Sequence, residues 1–202
     1  MDRQDAKRDR LFAAYAVLAS TAVRRSELLG LKWSHIDMDS ARLAIVATVV
    51  KVGSHTVMRN SQTKTASSRR SIPLDTLTVT ILRQHRLQQL EERVAAGAAW
   101  QDLDLVFATA LGDIVDPDTF TRHFRQLGRE AGLPIPKGFG PHALRHGWAT
   151  YALKAGIHLK VVQERLGHTS ITTTGNTYSH LTATMQEDAA QRIAERLLGQ
   201  IG

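Results

Sequence analysis

Cysteine is missing altogether from the 202 residues, which excludes disulfides, thiolate zinc sites and thiol catalysis. No apolar run approaches the ~20 residues a helix needs to span a bilayer. The stretch from Met1 to Arg10 holds no apolar signal core. The expectation is therefore a soluble, cytoplasmic protein with no membrane partner. Internal repeats and low-complexity linkers are lacking too, as are a Walker motif and an acidic metal-binding cluster. Acidic side chains are in deficit, 19 against 26 Lys and Arg, which leaves a formal charge of +7. Such an excess attracts polyanions, because basic groups that neutralise phosphates release condensed counterions. Charge alone does not separate DNA from RNA.

What is present suffices for a core, since 43% of the residues are hydrophobic. Leu11, Tyr15 and Leu18 stand at helical spacing in residues 9–20, and a short helix should run from Ser26 to Gly30. Residues 42–50 are β-branched and apolar and read as one strand. Gly53-Ser54 then forms a turn, and Thr56–Met58 returns as a second strand. Ser71–Leu74 reads as a third strand ended by Pro73. A long, polar helix over 75–96 has Leu77, Ile81, His85 and Leu90 loosely periodic. Others follow over 119–131, from Pro141 to Ala155, over 159–166 and over 182–198. The fold class is α+β: mainly helical, with a small antiparallel β-sheet in the N-terminal third.

Metal-free phosphoryl transfer needs cations around the non-bridging oxygens, a nucleophile and an acid for the leaving oxygen. Arginine suits the first task, because its planar fork grips two oxygens and stays ionised. His142-Ala143-Leu144-Arg145 places an imidazole and a guanidinium on one helix face, three residues apart. Pro141 sets them in the first turn, where unpaired backbone N–H groups favour anions. A bare HxxR is more often two surface residues. His146 adds an HxxxH spacing, but without a Glu between the histidines or any cysteine it is a poor zinc motif. Leu166-Gly167-His168 follows, and then, after a polar stretch read as flexible (169–177), Tyr178. Alone, Tyr178 would be a half-buried aromatic with its hydroxyl satisfied.

Together the strings HALRHGWATYAL, KVVQERLGH and LGHTSITTTGNTYSHL resemble the catalytic domain of the tyrosine recombinases, the phage integrase family. Two further landmarks match. Thr21–Trp33 holds an Arg followed by a Ser-Glu pair, and Thr63–Leu74 holds a Lys before the third strand. The resemblance covers residues 11–181.

That resemblance implies an enzyme that cuts and rejoins double-stranded DNA through a covalent 3′-phosphotyrosine, without metal, ATP or other cofactor. Tyr178 takes the place of the nucleophile. Arg24 and Arg145 resemble the phosphate-clamping arginines. His142 resembles the histidine assisting proton transfer, and His168 the one binding a non-bridging oxygen. Lys64 matches the general acid for the 5′ oxygen, and Glu27 the acid supporting the first arginine. Arg25 reads as a neighbour, and Arg69-Arg70 with Lys64 as backbone-phosphate contacts. His180 would support the tyrosine loop. His35, His55, His85, His123 and His158 fall outside the motifs and read as surface residues. Trp148 and Tyr151 read as core.

The family implies a tetrameric synapse of protomers on DNA, in a bacterial or phage setting. Its members carry an N-terminal helical clamp, and only about ten residues precede the first helix here. Residues 1–202 are accordingly read as the catalytic domain, with the N-terminal core-binding domain absent. The pattern departs from the family at two places. Ala22 stands where glycine is usual, and Gly175-Asn176 is a turn signal where an apolar residue and an acid are common. The rival readings are a type IB topoisomerase-like activity and a non-catalytic DNA-binding module that keeps the fold.

Overall fold

In the computed structural model, residues 9–60, 70–178 and 194–196 are described. The chain divides into two units, residues 1–148 and 149–202.

The first unit opens with α1 (Phe12–Thr21), whose Ala13, Ala14, Val17 and Leu18 are buried. Asp9 starts it by accepting the Leu11 N–H at 2.7 Å. Helix α2 (Arg25–Leu29) is a single short turn and a half. Gly30 ends it where a Cβ would lie 2.9 Å from the Ala47 backbone, so only glycine allows the helix end to meet the strand.

The segment 42–50 is not the single strand its composition suggests. It breaks into β2 (Arg42–Ala44) and β3 (Ala47–Val52). At the break, the Ile45 N–H turns to the Arg70 carbonyl, 3.0 Å away. The strands consequently form two antiparallel sheets. One has the order β1 (Ile36–Asp37), β2, β5 (Ser71–Pro73), with Leu43 opposite Ile72. The other is a hairpin of β3 and β4 (His55–Asn60), with Val49 opposite Met58. Pro73 sits on an edge strand, where its missing N–H costs no ladder bond.

Helix α3 (Thr76–Ala96) starts at Asp75, whose carboxylate accepts the Thr78 N–H at 2.9 Å. Its buried face is Thr78, Val79, Leu82, His85 and Gln89. Leu77 and Leu90 are exposed, so the buried face is displaced around the helix from the periodicity read through them in the sequence. His85, expected on the surface, is buried: its Nε2 lies 2.7 Å from the Val106 carbonyl and its ring packs on Phe107. Burial lowers its pKa and keeps it neutral. Helix α4 (Pro117–Glu130) is capped by Asp116, which accepts from the Asp118 and Thr119 N–H groups. It inserts Phe120 fully into the core beside Leu18, Leu28, Leu82 and Phe107.

Helix α5 (His142–Lys154) begins one residue after Pro141, and the boundary between the units falls within it. In the second unit Ala149 and Leu153 are buried, whereas Tyr151, read as core, is 77% exposed. His158 caps α6 (Leu159–Leu166) by accepting the Lys160 N–H through Nδ1. Gly167 ends α6 in the left-handed conformation (φ 61°). Helix α7 (Ile171–Tyr178) occupies the stretch expected to be flexible, and Gly175-Asn176 is helical, not a turn. Ser170 opens it by accepting the Thr172 N–H, and Thr174 faces inward, fully buried. The helix expected over 182–198 lies outside the described residues except at 194–196, which are helical.

Candidate active site

The first unit carries four of the motif residues, Arg24, Glu27, His142 and Arg145. Arg24 stands in extended conformation at the N-cap of α2, just past the left-handed Ala22 that ends α1. The Glu27 carboxylate, three residues on, accepts the Arg24 backbone N–H at 2.8 Å and its guanidinium at 2.9 Å. Arg145, 2% exposed, reaches from α5 to donate to the Ala22 carbonyl at 2.6 Å. One helix end is thereby held by the second arginine and immediately delivers the first.

Behind Arg24 lies a residue whose role was not read from the sequence. Arg70, expected to touch phosphate, is mostly buried and grips Glu27 with both Nη atoms, at 3.0 and 2.7 Å. Glu27 so accepts four charge-assisted or backbone hydrogen bonds while only 5% exposed. Burial alone would raise its pKa. The Arg70 fork and charge, then the Arg24 N–H and charge, outweigh that and hold it below its ordinary value. Forty-three residues separate Glu27 from Arg70, so no local motif links them.

Arg24 and His142 both line a cleft of about 660 Å³, with Arg25, Arg125 and His146 also on its wall. No carboxylate is among the described residues lining it, so its ionisable side chains are all basic. The Arg25 guanidinium is taken up by the Pro117 carbonyl and the Thr121 hydroxyl, and Arg125 donates to the Phe139 carbonyl at 2.5 Å. His142, on the first turn of α5, meets His146 edge to face with ring centroids 4.5 Å apart. Partial desolvation, followed by the charges of His146, Arg145 and Arg24, lowers the His142 pKa. A neutral imidazole beside fixed cations can accept a proton or donate a hydrogen bond.

His168 and Tyr178 belong to the second unit. His168 follows Gly167 and is fixed at both backbone ends by Gln163. Its N–H donates to the Gln163 carbonyl at 3.1 Å, and its carbonyl accepts from the Gln163 side chain at 2.7 Å. The ring Nδ1 lies 2.9 Å from the Thr174 hydroxyl. Tyr178 is the last residue of α7. Lys64 and His180 lie outside the described residues.

The fold is mainly helical α+β, and Arg24 and His142 stand on the wall of one cleft in it. The chain belongs to the phage integrase family, which it matches over residues 1–185. It is 32% identical over 197 residues to a tyrosine recombinase XerC-like protein of Caldanaerobacter subterraneus subsp. tengcongensis, covering 93% of this chain and 50% of that protein. The chain thus spans about half the length of that curated relative. Among solved structures, the Tn1549 transposon integrase in complex with transposon right-end DNA superposes with a TM-score of 0.75. The identity is 24%, over 94% of this chain and 59% of that one. The XerA recombinase gives a TM-score of 0.66 at 27% identity, over 95% and 62% of the two chains. No helix among the described residues is long and apolar enough to cross a membrane.

Proposed function

We propose that this chain is the catalytic domain of a site-specific recombinase that cleaves and rejoins double-stranded DNA through Tyr178. The Tyr178 hydroxyl attacks the scissile phosphorus, forming a tyrosine–phosphate bond to the 3′ end as the bond to the 5′ oxygen breaks. Arg24 and Arg145 neutralise the charge that grows on the non-bridging oxygens. His142 assists the proton leaving the tyrosine, His168 donates to a non-bridging oxygen, and Lys64 protonates the departing 5′ oxygen. Glu27 holds Arg24. The phosphodiester energy is kept in the covalent bond, so rejoining needs neither ATP nor a metal. Other protomers join on DNA in a tetrameric synapse.

The observation that carries this reading is the cleft, with no carboxylate among its described lining residues, that Arg24 and His142 both line, beside the turn that Arg145 holds. A free tyrosine of pKa ~10 is a weak nucleophile at neutral pH, and cations around the phosphate make the attack feasible. The test is a nicked suicide DNA incubated with protein and resolved on a denaturing gel. The parent should form a covalent adduct, with or without EDTA. Tyr178→Phe should form none while binding DNA with nearly unchanged affinity. An adduct from the Phe variant would make Tyr151, exposed on α5, the next nucleophile to test. Activity lost in EDTA and restored by zinc or magnesium would overturn the metal-free chemistry.

A further inference from the structure

We infer that Thr174 is a positioning residue that selects which nitrogen of His168 carries the proton. The inference rests on the reading of His168 as a donor to the scissile phosphate.

A neutral imidazole has one N–H and one bare nitrogen, and the hydrogen bond made by one nitrogen decides the state of the other. His168 can donate to a phosphate oxygen through Nε2 without carrying charge only if Nδ1 is bare. Its Nδ1 faces the Thr174 hydroxyl at 2.9 Å. Thr174 is fully buried, and among the described residues its hydroxyl has no partner other than this nitrogen. A hydroxyl holds one proton, and a buried proton left without an acceptor is costly. The arrangement that satisfies it has Thr174 O–H donating to a bare Nδ1, which puts the imidazole proton on Nε2. The opposite tautomer would aim Nδ1–H at the hydroxyl oxygen and strand the hydroxyl proton in the interior.

The surrounding backbone makes this choice durable. Gly167 and the two Gln163 bonds fix where the His168 backbone sits. Thr174 lies on α7, six residues further on. Of the two rotamers open to a helical threonine, the one adopted here aims the hydroxyl at His168. The donor state of His168 is then set before any substrate arrives, which is what electrostatic preorganisation requires.

The test uses the full chain with 15N-labelled histidine and long-range proton–nitrogen NMR at a pH where His168 is neutral, with His168→Gln assigning its signals among the nine histidines. The parent and Thr174→Ser should show Nδ1 bare and Nε2 protonated. Thr174→Val, close in size but without the hydroxyl, should show mixed protonation. On suicide DNA the Val variant should lose about tenfold in cleavage rate with substrate KM unchanged, and Ser should restore it. A parent spectrum with the proton on Nδ1 overturns the inference outright. A Val variant that loses the pinned tautomer yet cleaves at the parental rate overturns Thr174 as a positioning residue. If His168→Gln also cleaves at the parental rate, the fault lies in the role read for His168, since the tautomer is measured without DNA.

Discussion

Two helix ends in this molecule do the same job by different means. Helix α1 ends at Ala22 and α6 ends at Gly167, both in the left-handed region, at φ 58° and 61°. Each is followed closely by a motif residue, Arg24 two positions after Ala22 and His168 next to Gly167. Gly167 ends its helix with bonds that return into it: its N–H goes to Glu164 and the next N–H to Gln163. Ala22 carries a Cβ that disfavours this conformation. It is kept there by a fully buried position and by the Arg145 guanidinium on its carbonyl. The arginine end is held by charge brought from distant parts of the chain, whereas the described bonds at the histidine end fall within twelve residues, 163 to 174.

The largest way to break the contrast is to remove the anion at the centre of the arginine end. Glu27→Gln leaves Arg70 buried with its charge uncompensated, and should lower unfolding free energy by about 3 kcal/mol in urea titrations. The double variant Glu27→Leu/Arg70→Met should recover most of that loss, because two apolar groups of similar size replace a pair that was costly to desolvate. The Glu27 pKa lies below its ordinary value of 4.5 in the folded state. Its contribution is therefore complete above about that pH and is lost as pH falls through the lower folded value. Glu27→Gln should flatten this part of the acid limb. If single and double variants are equally unstable, the ion pair is not what orders this end.

Next come the two arginines. Arg24→Ala and Arg145→Ala should each slow cleavage by about 10²-fold or more, as losing one oxyanion donor does. Their stabilities should part company. The Arg24 side chain is 41% exposed and its loss should leave unfolding within about 1 kcal/mol of the parent. Arg145 is buried and bonded to Ala22, and its loss should cost about 2 kcal/mol. Equal stability of the two variants would show that Arg145 does not hold the Ala22 turn.

The sequence made the motifs of this comparison legible but not their support. HxxR can be read because residues three apart share a helix face, and LGH because glycine is the residue that ends a helix left-handed. Arg70 could not be assigned to Glu27, since pairing across 43 residues follows from the break at Ile45-Val46 that separates β2 from β3. The run from Leu43 to Val50, apolar but for Thr48, hides that break. His85 and Tyr151 were misread for one reason: polarity ranks residues by average burial, whereas Val106 offers His85 a carbonyl and α5 turns Tyr151 outward. Gly175-Asn176 reads as a turn by propensity alone, yet the inward-facing Thr174 and its bond to His168 favour continuing the helix.

The smallest effects test the left-handed positions themselves. Gly167→Ala places a Cβ in a conformation costing roughly 1–2 kcal/mol and regains part of that from the stiffer unfolded chain, so it should destabilise by about 1 kcal/mol. Ala22→Gly should behave differently from a simple reversal. Relief of the same strain favours glycine. Against it stand the greater entropy glycine loses on folding, about 0.5–1 kcal/mol, and a fully buried methyl worth about 0.8 kcal/mol. These terms nearly cancel, so unfolding free energy should stay within about 0.5 kcal/mol of the parent. Cleavage should stay within about threefold, because the Ala22 carbonyl that holds Arg145 is unchanged. A gain well above 1 kcal/mol in urea titration would mean the methyl contributes no packing and that alanine at this turn is pure strain. A large loss of cleavage at unchanged stability would mean the methyl itself keeps the carbonyl aimed at Arg145.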